Sequence, residues 1–251
     1  MSINLTEREK QILELVREDN SLSVSAMSKS FGVSEVTIRS DLTSLAEKGF
    51  VLRTRGGAVP TFHPGILERQ RESVEKKETI ARAAANMVKD GDHIMISAGT
   101  TTALVARYLL GKRDIHIVTN STLLLPYIRM NPLVSVVFLG GKFTPSAEAM
   151  VGAVTLRELE QFHVKRAFLG TDGFSLEGGV TAHLGELAEV VRKMVKQADE
   201  ATFLADSNKY GTVGFARILP IDEVKLLVTD SEISNEACAA LGDKGVTVTK
   251  S

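Results

Sequence analysis

Near the N-terminus, apolar residues recur at helical spacing. Ile12, Leu13, Leu15 and Val16 share one face behind Thr6-x-x-Glu9, a pair with capping-box spacing. This first helix is expected to stop around Asp19-Asn20-Ser21. Val24 reads as a brief strand, and Ser25 opens a short helix through Phe31 that Gly32 ends. Ser34 is a natural N-cap for a third helix over about 35–48, and Gly49 supplies its left-handed end. Val36, Ile38, Leu42 and Leu45 are expected to form its apolar side. From Phe50 to Val59 two short strands are predicted around Gly56-Gly57. Three helices and a hairpin make a winged helix-turn-helix over residues 1–59.

The pattern then breaks. Pro60 and Pro64 bracket a stretch read as lacking helical or strand period, and Glu68 to Glu75 is heavily charged, so 60–76 is assigned as a linker. From Lys77 to Ser251 helices alternate with short continuous apolar strands. Strands are expected at 93–97, 115–119, 134–139, 166–170, 201–205, 225–229 and 246–249. Helices are expected at 77–88, 101–110, 122–130, 153–162, 185–198 and 234–242. This alternation predicts an α/β domain with a mainly parallel sheet.

Each half carries its own chemistry. On the third helix Glu35, Thr37, Arg39 and Ser40 are predicted to face outward near the end that meets base edges and phosphates. Ser34 and Ser40 would touch phosphates, while Arg53 and Arg55 would grip the backbone from the hairpin, a segment with two arginines and no acid. In parallel α/β folds, ligands bind beyond the carboxyl ends of the strands. Small polar residues gather there in this chain: Gly99-Thr100-Thr101, Thr119-Asn120-Ser121, Gly140-Gly141, Gly170-Thr171-Asp172-Gly173 and Asp206-Ser207-Asn208-Lys209. Together they suit a small, hydroxylated, phosphorylated ligand, with Lys209 as its cationic anchor.

Composition narrows the classes. The hydrophobic fraction of 43% is enough for a real core, and the net charge of −1 carries no overall basic excess; acids and bases balance over residues 1–58. The single cysteine, Cys238, excludes an intramolecular disulfide framework and fits a reducing cytoplasm; it reads as packing on a late helix. No apolar run reaches the ~18 residues of a membrane span, and the polar start is not a signal peptide. Five histidines without ligand spacing argue against a metal, and no GxGxxG or GxxxxGK[ST] motif is suitably placed. No cofactor is expected.

Taken whole, the chain resembles the DeoR family of bacterial sugar-metabolism regulators, of the glycerol-phosphate-repressor type. The carrying residues are Val33-Ser34-x-x-Thr37-Ile38-Arg39-x-Asp41-Leu42 and Arg53-x-x-Gly56-Gly57-Ala58. In the second half they are Asp90-Gly91-Asp92, Ala98-Gly99-Thr100-Thr101, Thr119-Asn120-Ser121, Gly140-Gly141, Gly170, Gly173 and Asp206-Ser207-x-Lys209-Tyr210-Gly211. The resemblance implies an effector domain like ribose-5-phosphate isomerase, homo-oligomerisation as a dimer or tetramer, double-stranded operator DNA as partner, and control by a phosphosugar. Ser40 stands where the family commonly has a second arginine, and Ser97 where an aspartate is common. Leu184, Leu187 and Val191 align with Asn, Glu and Lys; a one-residue shift gives Glu186 the acidic role. The expected function is a cytoplasmic repressor of a carbohydrate-catabolic operon. The alternative is a sugar-phosphate isomerase-like enzyme with a DNA-binding arm, using Asp172, Glu186, Asp206 or Lys209 as acid and base.

Overall fold

The computed structural model describes residues 5–19 and 22–251, which form two compact units divided between Arg69 and Gln70. In the first unit, α1 (Glu7–Glu18), α2 (Val24–Phe31) and α3 (Glu35–Glu47) precede a hairpin of β1 (Val51–Arg53) and β2 (Ala58–Pro60). The predicted caps form: Glu9 N–H bonds Thr6 Oγ1 at 3.2 Å and Thr6 N–H bonds Glu9 Oε2 at 2.7 Å. Ser34 Oγ takes the Thr37 N–H at 3.1 Å, and Gly49 sits at φ +78°. Ile12, Leu13, Val16, Val24, Met27, Ile38, Leu42, Leu45 and Val51 close a shared core.

Two local expectations are corrected here. Val24 is the first residue of α2, not a strand: Ser23 is the N-cap, and only Ser23 makes a bridge, to Gly57. That approach is close, because a Cβ on Gly57 would stand 2.5 Å from the Leu22 carbonyl oxygen. Val36 does not join the core; it is 76% exposed, while Ile38, Leu42 and Leu45 are fully buried. Asn20 and Ser21, at the expected stop of α1, lie outside the described residues, and Asp19 is its C-cap.

Glu9 also fastens α1 to α3. Its carboxylate accepts from Ser44 Oγ at 2.6 Å and from Lys48 Nζ at 2.7 Å. Burial alone would raise its pKa; the bonds from Lys48, Ser44 and the Thr6 N–H outweigh that and hold it at about 2. Arg8 adds a bidentate pair to Asp41 on α3, at 2.6 and 3.0 Å.

The segment read as aperiodic holds α4 (Pro64–Arg71), whose buried apolar residues are Ile66 and Leu67, too few to show a period. In the second unit α5 (Val74–Asn86) leads to β3 (His93–Ile96), α6 (Thr100–Arg107) and β4 (Ile115–Thr119). The helix expected over 122–130 is a 3₁₀ turn at Thr122–Leu124 followed by α7 (Leu125–Ile128). Pro126 lacks the N–H that would continue one helix through it. Next come β5 (Val134–Phe138), β6 (Lys142–Thr144), β7 (Ala149–Val151), α8 (Ala153–Leu159), β8 (Val164–Gly170), β9 (Gly173–Ser175) and β10 (Gly179–Ala182). The chain finishes with α9 (Gly185–Lys196), β11 (Ala198–Leu204), β12 (Ala216–Leu219), β13 (Leu226–Thr229), α10 (Asn235–Asp243) and β14 (Thr247–Lys250).

Seven strands pair in parallel in the order β14-β13-β11-β8-β3-β4-β5. The chain enters at β3, runs outward through β4 and β5, then crosses back to β8 and runs the other way. The direction therefore reverses between β3 and β8, the place where such sheets open a ligand crevice at their carboxyl ends. A β6–β7 hairpin and an antiparallel β12-β10-β9 sheet, neither foreseen, are added to this frame.

Candidate functional site

On α3 the exposed residues Glu35, Val36, Arg39, Ser40 and Thr43 form one stripe, one helical turn apart. The Ser34 and Thr37 hydroxyls lie 2.9 Å apart, and Arg39 Nη2 reaches Glu35 Oε2 at 3.5 Å. The Thr37 hydroxyl thus sits beside the cap hydroxyl. Arg53 Nη1 donates to the Arg39 carbonyl oxygen at 3.1 Å and to Thr43 Oγ1 at 2.6 Å, so the hairpin is pinned to the helix. Arg55 is exposed on the turn. The predicted DNA-contacting residues thus fall on one helix end and the adjoining wing. Val36 was placed inside by sequence, although two residues are about 200° around a helix from Ile38 and so put it on the opposite side.

At the carboxyl ends of the sheet, the predicted loops are tied to one another. Ser97 Oγ accepts the Gly170 N–H at 2.9 Å, directly across the β3/β8 switch point, where a side-chain acceptor is needed and a serine suffices. Asn120 is spent on structure: Oδ1 takes the Ala98 N–H at 2.9 Å and Nδ2 donates to the Met150 carbonyl at 3.0 Å. Thr119 Oγ1 donates to the Ile96 carbonyl at 2.7 Å and accepts the Ser121 N–H at 3.1 Å. Two neighbours differ. Thr101 Oγ1 and Ser121 Oγ are buried without a partner. Gly99 caps α6 with no side-chain bond, so the first N–H groups of that helix carry no capping side chain. The hydroxyls of Thr61, Thr144, Thr202 and Thr229 are also unpartnered, but none lies in a predicted loop.

The other predicted residues form satellites. The Gly140 N–H donates to Glu158 Oε2 at 2.6 Å and its carbonyl accepts from Thr155 Oγ1 at 2.6 Å. A Cβ on Gly141 would stand 2.1 Å from Thr155 Oγ1. Asp172 Oδ2 takes the His183 N–H at 2.8 Å, and Thr171 Oγ1 donates to the Gly173 carbonyl at 2.7 Å. Lys209 Nζ donates to the Thr171 carbonyl at 2.7 Å, so the anchor lysine is drawn to the loop after β8. Glu186 is exposed and paired with Lys142 Nζ at 2.9 Å. Leu187 and Val191 belong to the core under α9, and Leu184 packs against it, so these apolar replacements serve packing.

Sequence reading missed a further network around the lysine loop. Lys76 Nζ, at the start of α5, reaches Glu232 Oε2 at 2.7 Å, Ser207 Oγ at 3.0 Å and Asn208 Oδ1 at 3.1 Å. Glu232 raises the Lys76 pKa against the effect of burial. Asp230 accepts both the N–H and the hydroxyl of Ser207, at 2.7 and 2.9 Å. No local pattern links residues so far apart in the chain. A separate cavity of about 270 Å³ lies against α5, α6 and α7 and touches only Thr100 of the predicted residues. Among the described residues no cluster of His, Cys, Asp and Glu is built to hold a metal, and no helix is long and apolar enough to cross a membrane.

Comparison with known proteins joins the two halves. A DeoR-like helix-turn-helix domain matches residues 8–61, and the DeoR C-terminal sensor domain matches residues 72–231. The chain belongs to the DeoR family. Among its DeoR-family relatives, the transcriptional repressor GlcR of Bacillus subtilis is 33% identical over 244 residues, 96% of this chain and 94% of its own. The transcriptional regulator GlpR of Haloferax volcanii is 32% identical over 247 residues, 96% of each chain. A ribose 5-phosphate isomerase structure from Methanocaldococcus jannaschii aligns over 55% of each chain at 21% identity and a TM-score of 0.40. The full-length relatives are named for transcription, and this DeoR-family chain is a DNA-binding regulator rather than an enzyme.

Proposed function

We propose that this regulator represses a carbohydrate-catabolic operon and is controlled by a phosphorylated sugar or a related small metabolite bound at the strand-end loops. The observation that carries the effector half is the pair of buried, unpartnered hydroxyls, Thr101 Oγ1 and Ser121 Oγ, near the uncapped start of α6. An unsatisfied buried hydroxyl costs about 1–3 kcal/mol, and a helix N-terminus favours an anion. A phosphate carrying a hydroxylated chain answers both needs. Gly99, Thr100 and Thr101 take the phosphate, and Ser121 a sugar hydroxyl, on a loop that Thr119 and Asn120 hold in shape. Gly170, beside Ala98 and Thr102, lets the backbone come close, Gly140, Gly141 and Gly173 shape the flanking loops, and Asp172, Glu186 and Lys209 supply the polar rim.

On the DNA side Glu35, Thr37 and Arg39 face base edges in the major groove, and Ser34 and Ser40 face phosphates. Arg53 and Arg55 approach the backbone from the wing, Arg53 with the nitrogens it does not spend on α3. A homo-oligomer, dimer or tetramer, assembled through the sensor unit, supplies paired copies of α3 to two half-sites. The test is selection of genomic duplexes by the purified protein, then titration of the best fragment with a panel of sugar phosphates. A palindromic site beside carbohydrate genes, with affinity shifted by one compound, is the expected result. Specific binding indifferent to every sugar phosphate overturns the effector half; no specific DNA overturns the repressor half.

A further inference from the structure

The stripe on α3 contains one side chain that the hydrophobic effect would ordinarily place inside. Val36 is 76% exposed in the first turn, while Ile38, Leu42 and Leu45 on the same helix are fully buried. One more large apolar side chain stands in water among the described residues up to Arg69: Leu52, 59% exposed on β1. A single exposed valine on a protein surface needs no explanation. This pair falls on the recognition helix and the wing, the two elements that a winged helix lays against a duplex.

Val36 is flanked by Glu35 and Thr37 and lies one turn ahead of Arg39 and Ser40. Its polar neighbours are partly occupied with each other: Glu35 pairs with Arg39, and Thr37 with Ser34. Val36 itself has no hydrogen-bonding group, so any sequence information it carries must be read through an apolar contact. On the base edges of the major groove, the apolar group is the C5-methyl of thymine. We infer that Val36 is a specificity residue that reads a thymine methyl in each half-site. The inference rests on α3 being the DNA-reading helix, as proposed above.

The experiment starts from a duplex selected out of a random-sequence pool by the full-length protein. Each thymine in the selected site is then replaced singly by deoxyuridine, which removes the methyl and keeps base pairing. At one thymine per half-site the wild-type protein is expected to lose about fourfold in affinity, the value of one buried methyl-sized group. Val36→Ala is expected to bind the thymine and uracil duplexes alike, at about the wild-type affinity for uracil. Val36→Thr, which keeps the shape and one of the two methyl branches, is expected to retain part of the discrimination. Because Val36 lies outside the core, neither variant should unfold appreciably below the wild type, and Val36→Ala, the better helix former, should unfold slightly above it. A wild-type thymine preference that survives unchanged in Val36→Ala overturns the inference, as does a selected site whose thymine methyls have no effect. A protein that selects no sequence at all removes the DNA-reading role of α3 with it, a different failure that the first step reveals.

Discussion

Replacing Glu9 by glutamine tests whether the recognition helix is held by a charge as well as by packing. The Glu9 side chain is 3% exposed and accepts from Thr6, Ser44 and Lys48. Its pKa is held at about 2 against an ordinary 4.5. That difference, about 2.5 units at about 1.36 kcal/mol each, favours the ionised folded form by about 3 kcal/mol. The Lys48 side chain is 28% exposed and regains water when its partner is neutralised, so we expect Glu9→Gln to cost about 2 kcal/mol. The sign follows from the direction of the shift. The folded pKa lies below the unfolded one, so the stabilisation is complete above about pH 4.5 and disappears as pH falls towards 2. The chain has no tryptophan, which makes calorimetry with far-ultraviolet circular dichroism the suitable assay. At pH 7 the N-terminal unit of the variant should melt roughly 8–16 °C lower, and the gap should narrow between pH 4.5 and 2. No gap at pH 7, or one of constant size down to pH 2, would refute the charge argument and leave packing as the fastener.

Further outcomes follow from other contacts. Thr101→Val and Ser121→Ala should leave stability unchanged or raise it by up to about 1 kcal/mol, because each removes an unsatisfied buried hydroxyl. The same variants should weaken sugar-phosphate binding about tenfold in calorimetric titration; loss of stability instead would make them packing residues. Gly141→Ala should cost more than about 2 kcal/mol in denaturant unfolding, since its Cβ would meet the Val151 carbonyl oxygen at 2.8 Å as well as Thr155 at 2.1 Å. A Gly141→Ala variant as stable as wild type would show that this hairpin shifts freely. Arg53→Ala should weaken binding to all duplexes and lower the salt slope by about 1, with unchanged base preference. A changed preference would place Arg53 at a base edge.

The legible features were those whose cause is local. Ser34 and Thr6 announce helix starts because their hydroxyls reach N–H groups three residues on, and the strands of the central sheet announce themselves as continuous apolar runs. The loops at the carboxyl ends were legible for the same reason, as small polar residues directly after such runs. Hidden features depend on distant partners. Strands β6, β7, β9, β10 and β12 have only three or four residues each, and their pairing is set by segments elsewhere. Asn120 looked like a ligand contact, yet both ends of its amide are used by Ala98 and Met150, which sequence spacing does not bring together. Lys76 ends the stretch assigned as a linker, although Ser207, Asn208 and Glu232 meet it.

The strand order has a consequence for synthesis. The core of the first unit draws on residues between Ile12 and Leu67, so it can close as soon as that stretch has left the ribosome. Strand β3 lies inside the large sheet, between β4 and β8, and β8 begins only at Val164. At ~5–20 residues per second, several seconds pass with one edge of an apolar strand unpaired. The part that reads DNA is thus finished well before the part that controls it. A chain cut short ahead of β8 would be a folded DNA reader attached to a sticky half-sheet, and aggregation would fall on the regulatory half first.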